Sequence, residues 1–291
     1  MLEAVPNVSE GRDSSAIADI QEAFSSHAAL LDVHSDHDHH RSVFTLAGSG
    51  ADLTESLAAG AAAARDRIDL RTHDGVHPRV GAVDIVPLVP LEPGSMPEAK
   101  RVALAVAERL GELSLPVFLY GDIGGGRRPA DIRRGGVEEL ARRMRDRELV
   151  PDRGPPLLDP RVGASLVGAR PPLVAYNLDL ATDDVRIARA VAAAVRESGG
   201  GLPGVQAIGL LLPRAGRIQV SMNVLDLESS PLHEVVARVT LEAERLGAAV
   251  AGGELVGLVP ELVLRAAATA GASLPGVDES HVLERRIAAA L

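Results

Sequence analysis

The order of apolar runs along this 291-residue sequence constrains its fold more than any other feature. In the first half, two kinds of periodicity alternate and predict strand, helix, strand, strand, helix and strand. The strands are predicted over residues 2–8, 30–33, 42–47 and 83–89. Helical spacing relates Ile17, Ile20 and Phe24, and then Leu53, Leu57, Ala61, Ala64 and Ile68. Ser14 is the predicted cap of the first helix.

The second half repeats this order without obvious sequence similarity to the first. Strands are predicted over residues 173–178, 205–212, 218–225 and 250–258, and the middle two form a predicted hairpin. Thr182 is the predicted cap of the first helix, Pro231 the first residue of the second, and Pro260 opens a third. Two βαββαβ units predict an α/β (α+β) protein of two ferredoxin-like subdomains, residues 1–171 and 172–291, with a ligand groove between them.

Additional elements separate the two repeats. A further helix is predicted over residues 97–113 and a further strand over residues 117–120. Residues 150–162 are rich in proline and glycine, which is incompatible with regular structure. This stretch is either a linker between the halves or a shaped binding loop.

Residue usage excludes several kinds of chemistry. The sequence has no cysteine, which excludes a disulfide, a thiolate nucleophile and a cysteine-ligated metal centre. Lys100 is the only lysine and lies on a predicted helix, so we expect neither a Schiff base nor a P-loop lysine. Aromatic residues make up only 2% of the chain, so the cores must be built from aliphatic side chains.

Charge and hydropathy indicate a cytoplasmic protein that acts on small molecules. A formal net charge of −10 argues against a nucleic-acid surface, although Arg127, Arg128, Arg133 and Arg134 form a basic cluster that could hold a small anion. No signal peptide is evident, and no run approaches the roughly 18 apolar residues of a membrane span. We therefore expect no nucleic-acid partner, no membrane contact and a cytoplasmic location.

The first candidate site is a run rich in histidine and aspartate, residues 34–41. Imidazoles and carboxylates are ready ligands for a metal ion, as in metal-dependent hydrolases. The same composition is typical of a solvated turn between two strands, and also of a loop that faces a substrate. The run alone does not choose among these three interpretations.

The second candidate site surrounds His77. His73 and His77 have the spacing of a helical zinc pair, but Gly75 and Pro78 disfavour a helix there. An extended His-Pro-Arg segment instead predicts that His77 and Arg79 project together, placing an imidazole that titrates near neutrality beside a carboxylate-binding guanidinium. The alternative is a loop histidine bonded to backbone, and spacing does not decide between them.

Two motifs, Val5-Pro6-Asn7-Val8-Ser9-Glu10-Gly11 and His77-Pro78-Arg79-Val80-Gly81-Ala82-Val83-Asp84, resemble those of the glutamate formimidoyltransferase family. This family also forms the N-terminal part of the animal formimidoyltransferase-cyclodeaminases. Further matches follow in order at residues 117–121, 150–155, 162–170, 205–209, 219–226 and 255–260. The resemblance therefore extends from residue 5 to about residue 270.

The resemblance implies transfer of the formimino group from N-formimino-L-glutamate to N5 of tetrahydrofolate, with release of L-glutamate. It implies a homodimer in which tetrahydrofolate, a co-substrate, lies between two α/β subdomains and no metal is needed. The histidine of the family's His-Pro-Arg motif is its catalytic base, a position held here by His77. The folate-contacting loop falls on Gly154, Pro155, Pro156, Leu157, Leu158, Asp159, Pro160, Arg161, Val162 and Gly163. The cyclodeaminase part is absent, so we expect ring closure to belong to a separate protein.

Substrates with several carboxylates call for arginine, and the pterin and glutamyl groups call for polar side chains. The substrate-binding candidates are Arg12, Arg41, Arg79, Asn7, Asn177, Asn223 and His34. His34 stands where animal members have an aspartate, and Arg161 and Val162 stand where they have a tryptophan that can stack on the ligand. Three alternatives remain open: formyl transfer between 5-formyltetrahydrofolate and glutamate, a metal-dependent hydrolase using residues 34–40, and a non-catalytic folate-binding protein.

Overall fold

The computed structural model describes residues 1–291, which form two compact units, Met1–Pro171 and Pro172–Leu291. The strands of the first unit are β1 (Leu2–Ala4), β2 (Asn7–Val8), β3 (Ala29–Asp36), β4 (Arg41–Gly48), β5 (Val83–Pro90), β6 (Val117–Leu119) and β7 (Ser165–Ala169). Its helices are α1 (Ser14–Phe24), α2 (Gly50–Arg67), α3 (Met96–Glu112), α4 (Pro129–Arg133) and α5 (Gly136–Arg145).

The first unit is built on one seven-stranded sheet. The short strands β1 and β2 both lie between β4 and β5 and pair antiparallel with each, while β3 pairs with the outer side of β4. This order is that of a ferredoxin-like sheet. Beyond β5, the sheet continues with β7 and then β6, all three parallel.

The two faces of this sheet carry separate cores because side chains alternate along each strand. Residues such as Val117 and Val167 join the large core beneath α1, α2 and α3. Their neighbours Phe118, Tyr120 and Leu166 point the other way into a smaller core, which α4 and α5 cover.

The second unit has one antiparallel four-stranded sheet in the order β11-β8-β10-β9. Its strands are β8 (Val174–Leu180), β9 (Val205–Leu212), β10 (Arg217–Val224) and β11 (Val250–Val256). Its helices are α6 (Val185–Val195), α7 (Leu232–Arg245), α8 (Glu261–Thr269) and α9 (Leu283–Ala290). Apolar residues of α6, α7 and α8 pack on the alternate strand residues Val174, Tyr176, Leu178 and Leu180.

These sheets confirm the predicted α/β class and the ferredoxin-like strand order, with local corrections. The predicted strand over residues 2–8 is two strands, because Pro6 lacks the N–H that a continuous ladder requires. Asp13 rather than Ser14 caps α1, since its carboxylate accepts the N–H groups of Ser15 and Ala16. Asp184 rather than Thr182 caps α6 in the same way.

The sequence predicts neither β7 nor the helices α4, α5 and α9. β7 is buried along its whole length, so it lacks the alternation of a half-buried strand. Helix α5 buries only a few side chains, including Leu140 and Met144, among many charged ones. No helix combines the length and the hydropathy of a membrane span.

The contact between α1 and α2 provides a test of the large core. A Cβ atom added to Gly60 would lie 2.1 Å from Cδ1 of Phe24. Helix propensity alone favours alanine over glycine by about 1 kcal/mol. We expect the opposite here: Gly60→Ala lowers the free energy of unfolding by about 1–3 kcal/mol, because the core is overpacked. Urea denaturation measures this change.

The control is the same substitution made in a Phe24→Leu background. The smaller, flexible side chain relieves the overlap, so Gly60→Ala costs less there than in the wild type. An equal cost in both backgrounds would place the loss elsewhere than at the Phe24 ring.

Candidate active site

Two histidine-rich segments that lie far apart in the sequence meet in the first unit. One is the turn between β3 and β4, residues 36–41, and the other is the loop before β5, residues 73–80. The backbone N–H of Val76 donates to the carbonyl of Asp38 at 3.0 Å. Nε2 of His73 lies 2.8 Å from the carbonyl oxygen of His40, to which it donates. The two candidate sites are therefore one site.

Two pairs of stacked imidazoles reinforce this contact. The rings of His40 and His73 are 4.0 Å apart and nearly parallel, at 21°. The rings of His39 and His77 are 5.9 Å apart, at 28°. His40 adopts a positive φ of 49°, which a non-glycine residue rarely adopts and which closes the turn just before β4.

Hydrogen bonds set the protonation of the first stacked pair. The carbonyl of His40 can only accept, so Nε2 of His73 carries the proton, and Nδ1 accepts the N–H of Gly75 at 3.2 Å. Burial, followed by the charge of Arg79, lowers the pKa of His73 to about 4. Burial also lowers the pKa of His40, and its Nδ1 accepts the N–H of Gly11 at 3.1 Å. Both rings are neutral at physiological pH and stabilise the loop.

His77 has a different partner. Its Nε2 lies 2.8 Å from Nη1 of Arg41, at the start of β4. A guanidinium group only donates, so Nε2 presents its lone pair and the imidazole is neutral. Burial, then the charges of Arg41 and Arg133, hold the pKa of His77 well below its ordinary value. The side chain is nevertheless partly exposed. The sequence, by contrast, predicts an imidazole that titrates near neutrality.

Arg79 shapes the loop that carries His77. Its Nη1 donates to the carbonyls of Gly75 and His77 at 2.8 and 3.1 Å, and its Nη2 donates to the carbonyl of His73 at 2.7 Å. The sequence predicts that Arg79 projects beside His77. In the structure, much of its donor capacity is used by the backbone of the same loop.

Asp84 links this loop to α4. Its buried carboxylate accepts the N–H of Val80 at 2.7 Å with one oxygen and pairs with the guanidinium of Arg133 with the other. Arg133 is therefore held near His77, where its charge acts on the imidazole. The basic cluster in the sequence includes Arg133, but no sequence signal joins it to His77. The cluster itself is divided, because Arg127 pairs with Asp152 instead.

The proline- and glycine-rich stretch lies inside the first unit and is a loop rather than a linker between the units. Its C-terminal end pairs with the residues that follow Arg79: Ala82 N–H donates to Val162 O at 2.7 Å, and Ala164 N–H donates to Val80 O at 2.9 Å. Gly163 has a φ of 76°, and a Cβ there would lie 2.0 Å from the oxygen of Val80.

The N-terminal end of the loop is anchored at β6, where Val117 N–H donates to Arg153 O at 2.9 Å. Between the two ends, Leu157 is 61% exposed at the tip, while Leu158 packs against the smaller core. Of the expected loop residues, Val162 and Gly163 are buried, and Gly154, Pro156, Asp159 and Pro160 are exposed.

The remaining candidates lie in three places. Arg12 bridges the turn and the loop, because its Nε donates to His37 O at 2.9 Å and its Nη1 pairs with Asp74. Asn7 on β2 donates to Val5 O at 2.9 Å, and His34 on β3 is partly buried opposite Val43. Asn177 and Asn223 belong to the second unit: Asn177 donates to Glu254 at 3.1 Å, and Asn223 is exposed on β10.

The structure thus brings His77, Arg41, Arg79 and Arg12 together in the first unit. No three histidine, aspartate or glutamate side chains are arranged to hold a metal ion. The imidazoles of His39 and His40 stack against the other loop instead.

The neutral, buried state of His73 predicts a dependence of stability on pH. Between about pH 6.5 and pH 4 the unfolded chain binds a proton at His73 and the folded chain does not. We therefore expect the free energy of unfolding to fall as the pH is lowered through this window, and His73→Gln to remove part of that fall. Urea denaturation at about pH 7 and about pH 5 measures both slopes.

His27→Gln is the matched control, because the side chain of His27 is exposed. It should retain the wild-type dependence. If His73→Gln retained it as well, His73 would not be the residue that stays neutral in the fold.

Two family models match the chain in succession. The formiminotransferase domain, N-terminal subdomain, matches residues 1–170, and the formiminotransferase domain matches residues 175–272. A glutamate formimidoyltransferase from Thermoplasma acidophilum is 37% identical over 297 residues, which cover 99% of this chain and 97% of the relative. Another from Streptococcus pyogenes serotype M1 is 37% identical, covering 91% of this chain and 90% of the relative.

A longer relative matches over the same region. The formimidoyltransferase-cyclodeaminase of Gallus gallus is 39% identical over 280 residues, which cover 92% of this chain but 52% of the relative. The chain thus spans about half the length of that relative. The family models and the two relatives that match it over nearly their full lengths show that this chain is an enzyme of the formiminotransferase family.

Proposed function

We propose that this enzyme transfers the formimino group from N-formimino-L-glutamate to N5 of tetrahydrofolate, and that His77 is its general base and acid. The observation that carries the proposal is a neutral, partly exposed imidazole set among guanidinium groups. The relatives from Thermoplasma acidophilum and Streptococcus pyogenes are glutamate formimidoyltransferases, which supports the choice of reaction.

The reaction requires a group that takes up one proton and delivers it again. N5 of the folate attacks the amidine carbon, a new C–N bond forms, and the π electrons of the C=N bond move to its nitrogen. The proton on N5 passes to the neutral imidazole of His77. The resulting imidazolium protonates the glutamate nitrogen. The electron pair on the other amidine nitrogen then re-forms the C=N bond, the bond from the carbon to the glutamate nitrogen breaks, and L-glutamate leaves.

The lowered pKa of His77 suits both steps. The ring is deprotonated at neutral pH, so it is ready to accept a proton without first losing one. Once protonated among Arg41 and Arg133, it is a stronger acid than free imidazole and gives the proton to the leaving group readily.

The positive charges around His77 complement the carboxylates of the donor. Arg41 touches the imidazole, so we propose that it binds a carboxylate of the glutamyl substrate. Arg12 and Arg79 contribute by fixing the turn and the loop, as their contacts with Asp74 and with three backbone carbonyls indicate.

For the folate we propose the loop of residues 154–163, with Asn7, His34, Asn177 and Asn223 as further polar contacts. In support, the exposed tip offers the apolar side chain of Leu157, and the far end of the loop is hydrogen-bonded to the segment that follows Arg79. We also propose that the enzyme is a cytoplasmic homodimer and that a separate protein supplies the cyclodeaminase. The family resemblance is the only support for these two points.

The direct test mixes the protein with tetrahydrofolate and N-formimino-L-glutamate and follows 5-formiminotetrahydrofolate by its absorbance. We expect turnover that depends on both substrates and on the protein. Folate binding without turnover would support a storage protein and refute the proposal.

Replacement of His77 tests its role. We expect His77→Ala to lower kcat by about 10²–10⁴-fold, the usual loss for a general acid–base group, while tetrahydrofolate still binds. Steady-state kinetics and a fluorescence titration with the folate measure the two effects. His27→Gln should leave both unchanged, and a His77→Ala variant with the wild-type rate would refute the assignment.

A further inference from the structure

The two sheets have four edge strands, and three of these are protected from pairing with a further strand. β3 carries two aspartates and a bulge, and β6 has only three residues. β11 has a bulge between Val250 and Gly252. A Cβ on Gly276 would lie 2.1 Å from the oxygen of Gly253, so a neighbouring segment lies against β11. Charges, bulges, short length and cover all prevent the pairing of one edge with another.

The fourth edge strand, β9, has none of these features. It extends from Val205 to Leu212, contains no charged residue and no proline, and pairs with β10 without a shift in register. The side chains of Ile208 and Leu211 are 40% and 48% exposed. A long, regular, apolar edge of this kind is a template for another strand.

The register with β10 determines which backbone groups of β9 point outward. The N–H of Leu225 donates to the oxygen of Gly204 at 2.9 Å, so these two residues form a hydrogen-bonded pair. In an antiparallel ladder such pairs alternate with pairs that make no bond, so Val205 and every second residue after it point away from β10. In agreement, the N–H of Val205 donates to the oxygen of Leu202 at 3.3 Å. The other outward-pointing backbone groups are those of Ala207, Gly209 and Leu211.

We propose that β9 pairs antiparallel with β9 of a second copy of this chain, about a two-fold axis at Gly209. The two four-stranded sheets then form one continuous sheet. The outward groups of Gly209 bond to the partner's Gly209, and those of Ala207 bond to the partner's Leu211. This inference adds an interface to the homodimer proposed above, and its argument uses the second unit alone.

The strand is complementary to itself under this symmetry. Ile208 lies opposite the partner's Leu210, so apolar side chains meet on that face of the sheet and no like charges are brought together. Because the other three edges are protected, each copy has one edge to offer. Pairing of that edge with itself gives a closed dimer rather than a filament.

A charge in the middle of β9 tests the interface. Ile208→Lys removes an apolar contact and places two ammonium groups on the same face of the joined sheet. We expect the dissociation constant of the dimer to rise by about 100-fold or more. Sedimentation equilibrium at micromolar concentrations measures it. Gly209 is left unchanged, because a Cβ there would lie 2.3 Å from the backbone nitrogen of Arg189 on α6.

The matched control is Leu241→Lys. Leu241 is 44% exposed, like Ile208, but it lies on α7 and not on the edge strand. We expect it to leave the dissociation constant unchanged. Circular dichroism checks that each variant is folded.

A mixture of opposite charges separates loss of pairing from damage to the fold. Ile208→Glu should also be monomeric on its own. Residue 208 of one copy and residue 208 of the other are diagonal neighbours on one face, so the lysine and glutamate variants attract each other. We therefore expect an equimolar mixture of Ile208→Lys and Ile208→Glu to form dimers again.

Three results would overturn the interface: a wild-type chain that is monomeric, an Ile208→Lys variant that dimerises as well as Leu241→Lys, or a mixture that stays monomeric. A monomer that transfers the formimino group would refute this inference and leave the proposed reaction intact. A dimer that responds to the variants as expected but has no transferase activity would support the interface and refute the proposed function.

Discussion

The docking of the loop at residues 73–80 onto the turn at residues 36–41 is the contact on which the candidate site depends. It joins the segment before β5 to the hairpin of β3 and β4 through the bond from Val76 to Asp38 and through two stacked pairs of imidazoles. Arg41 and His77 are distant in the sequence, and this contact brings them together in space. The neutral state of His73 is part of this docking, because both of its nitrogens hold backbone groups.

Much of the fold follows from periodicity, and what does not follow has a physical reason. The alternation of strand and helix patterns predicts both ferredoxin-like repeats, since each element has one buried face. β7 has no exposed face, so it lacks the alternation that indicates a half-buried strand. Helix α5 carries Leu140 and Met144 at helical spacing among charged residues, a pattern from which it could have been predicted. The helix caps differ by a residue or two, because several neighbouring side chains can accept the same N–H groups.

Only part of the candidate site can be predicted from the sequence. The His-Pro-Arg motif identifies His77, but it also suggests Arg79 as the cation beside it. The cation that touches the imidazole is Arg41, which lies 36 residues earlier in the chain, and no local pattern relates the two. Arg133 is similar, because its link to the site passes through the buried carboxylate of Asp84. Tertiary contacts of this kind follow from strand order and loop docking rather than from spacing.

The crowded position of Gly163 has a mechanical consequence for the loop that begins at Gly154. The α-carbon of Gly163 lies so close to the carbonyl oxygen of Val80 that no side chain larger than a hydrogen atom fits there. Both flanking residues are held by backbone hydrogen bonds. The N-terminal end of the loop is hydrogen-bonded to β6. Bending is thereby restricted to the exposed apex around Leu157. In the proposed role of this loop, a folate bound at the apex is held by a segment whose two ends are fixed, so the length of the ligand rather than movement of the loop decides whether it extends to the imidazole of His77.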